Sequence, residues 1–174
     1  GLHIENGSTA TASDNIFTDN VSYPAVSSSA ASALSGNSGS GNGKQGISIR
    51  GTISKIGATT TLSANELPYL IGKQSESPKV VAGSGVVIGA GSVWKAENND
   101  SKFEVLGTLE LQGGSADGGA PADSILFTSL ADSEPAQWNG IVVGGGGYIY
   151  GGGFTLRHGG KGFGCPTCAG IFID

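Results

Sequence analysis

Apolar residues fall along this chain in short bursts, not in helical periods. Val86-Val-Ile88, Val93-Trp-Lys95, Phe103-Glu-Val105, Thr108-Leu-Glu-Leu111, Ile125-Leu-Phe-Thr128, Gly140-Ile-Val-Val143, Phe154-Thr-Leu-Arg157 and Ile171-Phe-Ile173 mix β-branched or aromatic residues with small or polar ones, and glycines separate them. Such residues suit a half-buried pleated surface, and glycine supplies turn angles that other residues resist. The bursts recur about every ten residues, a spacing shared by sandwiches, barrels and solenoids. The joins decide between them. They are glycine-rich corners of irregular length, and the best two-residue hairpin signal, Asn139-Gly140, lies inside an apolar run. The expected architecture is all-β, a coiled parallel stack.

Upstream the pattern weakens. Ile47-Ser-Ile-Arg-Gly-Thr-Ile53 alternates cleanly and predicts the strand at which the folded body begins. Ser63-Ala-Asn-Glu66 has the form of a capping box and predicts a single helical turn over the first coil, so residues 47–78 are expected to form an N-terminal cap. Ser27-Ser-Ser-Ala-Ala-Ser-Ala33 and Ser35-Gly-Asn-Ser-Gly-Ser-Gly-Asn-Gly43 read as low complexity. Such a tract buries too little apolar surface to offset its chain entropy, so residues 24–46 are expected to be a flexible linker. Residues 1–23 hold candidate strands too short to fold alone, at Leu2-His-Ile4 and Asn15-Ile-Phe-Thr18. They are expected to act as an arm, with Ile4, Ile16, Phe17 and Val21 filling the pockets that receive a donated strand.

Taken in order, six pieces carry a family resemblance: Gly85-Val-Val-Ile-Gly-Ala-Gly-Ser-Val-Trp-Lys95, Leu106-Gly-Thr-Leu-Glu-Leu-Gln-Gly113, Ile125-Leu-Phe-Thr-Ser129, Trp138-Asn-Gly-Ile-Val-Val143, Phe154-Thr-Leu-Arg-His-Gly-Gly160 and Gly170-Ile-Phe-Ile-Asp174. They resemble successive coils of right-handed parallel β-helix proteins, the pectin-lyase-like repeat proteins of bacterial surfaces and secretions. The resemblance implies a right-handed parallel β-helix, or solenoid, over residues 79–174. It leaves the first 60 residues outside.

Composition agrees with a solenoid. Thirty-two glycines, 37% hydrophobic residues and only 13% charged residues are lean for one compact core but fill a narrow column. A net charge of −5, with nine scattered Lys and Arg, argues against a nucleic-acid surface, which needs clustered cations. No apolar run reaches the ~18 residues of a membrane helix. Gly1 reads as a mature terminus after signal removal or as the first residue of an excised domain. Few Lys and many Asn, Ser, Thr and Gly point to a secreted or cell-surface protein.

Candidate chemistry is sparse. Cys165-Pro-Thr-Cys168 could be a redox pair, half a zinc site, a haem anchor or a small disulfide loop. Ala169 removes the haem option, His158 is the one further zinc ligand nearby, and no helix signal follows to activate a thiolate. For an exported chain the expectation is a Cys165–Cys168 disulfide. His158 itself is expected to stack or to lie on the surface. Asp100, Asp117 and Asp123 are the candidate calcium oxygens, although turn-forming Asn and Asp explain their loops without metal. No other cofactor is expected.

The family resemblance also brings pectate lyases and polygalacturonases into view. These use an acidic calcium cluster with a basic residue, or several closely placed aspartates. Here Arg50 and Arg157 are the only arginines and no paired Asp falls on a predicted strand, so no catalytic residue is assigned and no enzyme activity is expected. The expected function is that of an extracellular structural or adhesive module. Its last strand, Ile171, Phe172 and Ile173, would offer an open edge, and with the arm it would assemble copies of the chain into a filament. The alternative is a carbohydrate-binding or polysaccharide-degrading β-helix with its active site beyond Asp174. Trp94, Trp138, Tyr148 and Tyr150 on one exposed face would favour polysaccharide as partner, and inward rings would favour the structural role. A β-sandwich pilus-like subunit is a further rival.

Overall fold

The structure is a computed structural model that describes residues 1–5, 8, 10–28, 33–114, 123–160 and 171–173. It is an all-β parallel solenoid of about six turns. The first coil carries Leu2–Ile4 (β1), Thr11–Ser13 (β2) and Ile16–Thr18 (β3), and the second Ala25–Ser27 (β4), Ala33–Ser35 (β5) and Ser38–Ser40 (β6). The third holds Ile47–Ile49 (β7) and Thr59–Leu62 (β8). Tyr69–Ile71 (β9), Lys79–Val80 (β10) and Gly85–Gly89 (β11) follow, then Val93–Ala96 (β12), Lys102–Val105 (β13) and Thr108–Gln112 (β14). Ile125–Ser129 (β15), Gly140–Val143 (β16), Tyr148–Gly152 (β17), Phe154–Leu156 (β18) and Ile171–Ile173 (β19) complete the stack. Among the described residues all the strand pairs are parallel, unlike those of a hairpin-linked sandwich.

Among the described residues three longer sheets run along the axis, and two two-stranded sheets, β2-β5 and β3-β6, join the first two coils. Sheet I is β1-β4-β7-β9-β12-β15-β18, sheet II is β10-β13-β16-β19, and sheet III is β8-β11-β14-β17. Register alternation sends every second residue inward. In sheet I one inward column reads Leu2, Ala25, Ile47, Tyr69, Trp94, Phe127 and Leu156. Its aromatic members stack: Tyr69 and Trp94 lie 4.5 Å apart, Trp94 and Phe127 6.0 Å, and Phe103 of sheet II meets Trp94 edge-on at 5.4 Å. Such pairs add to simple area burial. Both tryptophans are fully buried, so neither belongs to an exposed carbohydrate face. Trp138 donates its Nε1 proton to Arg157 O at 2.8 Å.

The first 46 residues correct the expectation of an arm and a linker. Leu2–Ile4 pairs with Ala25–Ser27, which pairs with Ile47–Ile49, so the described residues among the first 46 form two coils continuous with the body. Of the four arm residues, Ile4 is buried in the core and Phe17 packs against it, while Ile16 and Val21 are exposed. Hydrophobic burial is only part of the reason. The segment Ser13-Asp-Asn15 returns as Ser35-Gly-Asn37, and Thr18-Asp-Asn20 as Ser40-Gly-Asn42, each 22 residues later. Asn37, with no exposed surface, accepts from Asn15 N and Nδ2 at 3.1 Å and donates to Ala12 O at 2.8 Å and Asn65 Oδ1 at 2.9 Å. Such a ladder satisfies corner backbone groups that sheet pairing leaves open. Asn65 belongs to it, so Ser63–Glu66 forms a ladder corner and not the expected capping turn. Residues 47–78 are likewise interior coils, not a cap: β7 lies between β4 and β9.

The alternating run Ile47–Ile53 also divides. The strand ends at Ile49, Gly51 turns with φ 60°, and Thr52 bridges Lys79 on the next face.

Candidate functional site

The outer face of sheet I is covered by its own chain. Arg50 Nε donates to the buried Ser48 Oγ at 2.8 Å, and its guanidinium lies 5.0 Å from the centre of the Tyr23 ring. Tyr23 OH in turn reaches Glu97 at 2.8 Å, where Lys44 also arrives at 3.5 Å. Partial burial, with the Glu97 carboxylate, pushes the Tyr23 phenol up.

Farther along the same face Asp132 is a second clamp. It takes the Thr128 hydroxyl at 2.5 Å, Arg157 at 2.8 Å and His158 Nε2 at 3.0 Å. The Thr128 hydrogen bond, then the charges of Arg157, His158 and Lys95, hold its carboxyl below the usual carboxylate range. Asp132 and His158 adopt left-handed backbone, with φ of 47° and 61°, so the clamp holds two conformations that side chains disfavour. His158 is therefore held against the Asp132 carboxylate rather than stacked on a ring. Its Nε2 faces the Asp132 oxygen that also accepts from the Thr128 hydroxyl.

Sheet III carries no such cover. Two outward rows cross it, one of Thr59, Gly85, Thr108 and Tyr148, the other of Thr61, Val87, Glu110 and Tyr150. The Tyr148 and Tyr150 rings are 62% and 42% exposed, and they stack with centroids 5.6 Å apart. Glu110 accepts from Tyr150 OH at 2.7 Å and from Gln112 Nε2 at 2.6 Å. Those two bonds, Gln112 first, keep the Glu110 carboxyl below its usual value, while the bond to Glu110 pushes the Tyr150 phenol up.

A shallow groove of about 520 Å³ runs across the small residues of these rows and along the corner beside them. The corner stays low because Gly57, Gly83 and Gly145 turn with φ of 76°, 74° and 58°. None of the groove-lining residues is cationic. The arrangement offers a flat floor of hydroxyl and methyl groups, two amphipathic rings and one carboxylate. Chemically it can bind and orient a ligand, but one carboxylate does not meet the paired requirement of glycoside hydrolysis.

The remaining candidate residues do not converge. Asp100 is exposed in a turn where its own N–H bonds Asn98 Oδ1 at 3.0 Å, and Asp123 is exposed on another corner. Among the described residues no three His, Cys, Asp or Glu side chains come together to hold a metal. Asp117, Cys165 and Cys168 lie outside the described residues. Ile171–Ile173 pairs with β16 at one end of sheet II. Among the described residues no helix is long and apolar enough to cross a membrane.

Sequence reasoning named Tyr148 and Tyr150 but missed Glu110 and Gln112. The signal was present, since the alternation of Thr108-Leu-Glu-Leu-Gln112 puts both polar side chains on the face opposite Leu109 and Leu111. Set against protein-family models, curated proteins and solved structures, the chain has no significant match.

Proposed function

We propose that this chain is an adhesive module of the exported, bacterial-surface β-helix kind, and that it meets its partner through the outer face of sheet III. The observation that carries this reading is the contrast between faces: ion pairs and hydrogen bonds clamp sheet I, whereas sheet III leaves a stacked tyrosine pair bare beside an open groove. Large exposed rings on a rigid strand are a common feature of binding surfaces, because they bring contact area at little entropic cost.

The same pair favours a carbohydrate partner. A pyranose lays its C–H face on a tyrosine ring while Glu110 and Gln112 accept and donate to its hydroxyls. This reading needs no catalysis.

Retention on insoluble surface polysaccharides, compared between the parent chain and a Tyr148→Ala, Tyr150→Ala variant, tests it. The parent should be retained and the variant released, with unchanged far-ultraviolet circular dichroism. A parent that adheres to no surface polymer, or a variant that adheres equally well, would overturn the assignment of this face.

A further inference from the structure

Glu110 is set apart by its surroundings. The carboxylates of Glu76, Glu97, Glu104 and Asp132 each meet a lysine or an arginine at 2.8–3.5 Å. Glu110 is bonded instead by two neutral groups, Gln112 Nε2 at 2.6 Å and Tyr150 OH at 2.7 Å. Its cross-strand neighbours, Val87 and Tyr150, are uncharged, and so are Thr108 and Gln112 on the same face of its strand. Strands β8, β11, β14 and β17 hold no other charged residue, so Glu110 is the one charge in sheet III.

A full negative charge therefore stands on an open face with no cation of its own sheet beside it. Its two bonds favour the ionised form, so the charge persists below the usual carboxylate range. They take one position on each oxygen, and a carboxylate has about four acceptor positions, so about two face outward for a ligand. The tyrosine pair lies alongside: Tyr150 is in register with Glu110, and its ring stacks on Tyr148 at 5.6 Å. Ring faces attract an ammonium group within about 6 Å of the centroid. An acidic sugar would meet the Glu110 charge, with a net charge of −5 behind it. A neutral sugar would bond there but leave the charge uncompensated.

We infer that the tyrosine face selects a cationic polysaccharide, one with free amino groups, and that a sugar ammonium seats on Glu110 beside the Tyr150 ring. This rests on the reading of sheet III as a carbohydrate-binding face and adds the charge class of the ligand. The ammonium donates to the open positions of the carboxylate while the C–H face of a pyranose covers a ring. The rest of the polymer follows the groove, whose lining past Glu110 is neutral and low.

The test titrates the full chain with chitosan oligomers and with cellulose oligomers of equal length, which carry a hydroxyl where chitosan carries its amine. Calorimetry is run at mildly acidic pH, where the sugar amines hold a proton and the Glu110 carboxyl does not. Chitosan should bind roughly fivefold tighter than cellulose. Raising ionic strength from about 0.01 M to about 0.15 M should shrink that preference, because the screening length falls from about 30 Å to about 8 Å. Glu110→Gln should abolish the preference. Glu134→Gln, the same charge change at an exposed corner outside sheet III, should preserve it. Tyr150→Phe, which keeps the ring and drops its bond to Glu110, should preserve it too. If Tyr150→Phe loses as much as Glu110→Gln, the carboxylate merely supports the ring and the inference is wrong. It is also wrong if chitosan binding survives Glu110→Gln, falls equally in Glu134→Gln, or is absent in the parent. Cellulose binding as tight as chitosan binding, lost in the Tyr148→Ala, Tyr150→Ala variant, would overturn the cationic assignment and leave the carbohydrate face standing.

Discussion

Replacing Asn37 with alanine distinguishes a coil from a linker, because only in a coil does that side chain do anything. The substitution deletes four side-chain hydrogen bonds, two received from Asn15 and two given to Ala12 O and Asn65 Oδ1. A buried bond contributes about 0.5–1.5 kcal/mol net. Asn15 is exposed and can turn to water, so its two bonds count near the lower limit, while Ala12 and Asn65 are half-buried and count more fully. The sum is about 3 kcal/mol, or roughly 6–12 °C in the midpoint of a chain this long. Asn15→Ala is the control: it keeps its main-chain bond and loses two rim bonds, to Ser13 O and Asn37 Oδ1, for a cost of about 1 kcal/mol or less. Urea titration followed by circular dichroism reads both. An Asn37→Ala midpoint indistinguishable from the parent would mean that residues 24–46 do not stack, and equal costs at the two positions would refute the graded ladder.

Two further outcomes follow from burial and charge. Trp94→Ala, which empties a site between Tyr69 and Phe127, should cost about 3–5 kcal/mol, whereas Tyr148→Ala with Tyr150→Ala should cost under ~1 kcal/mol; the same titration checks both, and a reversed order would contradict the inward and outward faces. Because the folded-state pKa of Asp132 is depressed, its clamp contributes fully above the ordinary carboxylate value of about 3.9 and is lost as pH falls through the lower folded value. Asp132→Asn should therefore lower the thermal midpoint at neutral pH and flatten its acid decline, and an acid decline identical to the parent's would refute the clamp.

The parts of the fold legible in the sequence are those where burial selects large side chains. Tyr69, Trp94, Phe103, Phe127 and Ile141 fill the column from the fourth coil onward, so their strands stand out as apolar alternation. In the first two coils the inward positions are held partly by Ala25, Ser27 and Ala12, and the stability lies in amides and corner geometry instead. Periodicity in hydrophobicity therefore fades just where periodicity in Ser-Asp/Gly-Asn begins, and a run of Ser, Gly and Asn looks like a linker unless it is compared with the chain 22 residues earlier. Strand β17 was hidden for a related reason. Its Tyr148-Ile-Tyr150 core lies between glycine runs that read as turns, and its exposed rings leave Ile149 as the single inward apolar side chain.

This division of chemistry also divides the solenoid's energetics. Each coil touches chiefly its neighbours, so stability is a sum of coil and interface contributions and not one undivided core. The interfaces of coils one to three add amide bonds to a thinner apolar column, and the loss of those bonds is local. Those from coil four onward are held by an aromatic column in which Trp94 touches Tyr69, Phe103 and Phe127 together. A defect in the ladder should loosen amide exchange in β2, β3, β5 and β6 and leave β12 to β17 protected. The tyrosine face lies in the second group, on β17 beside β14, so its ring geometry is insulated from disorder at the ladder end. A binding face can then stay rigid while the ladder coils loosen.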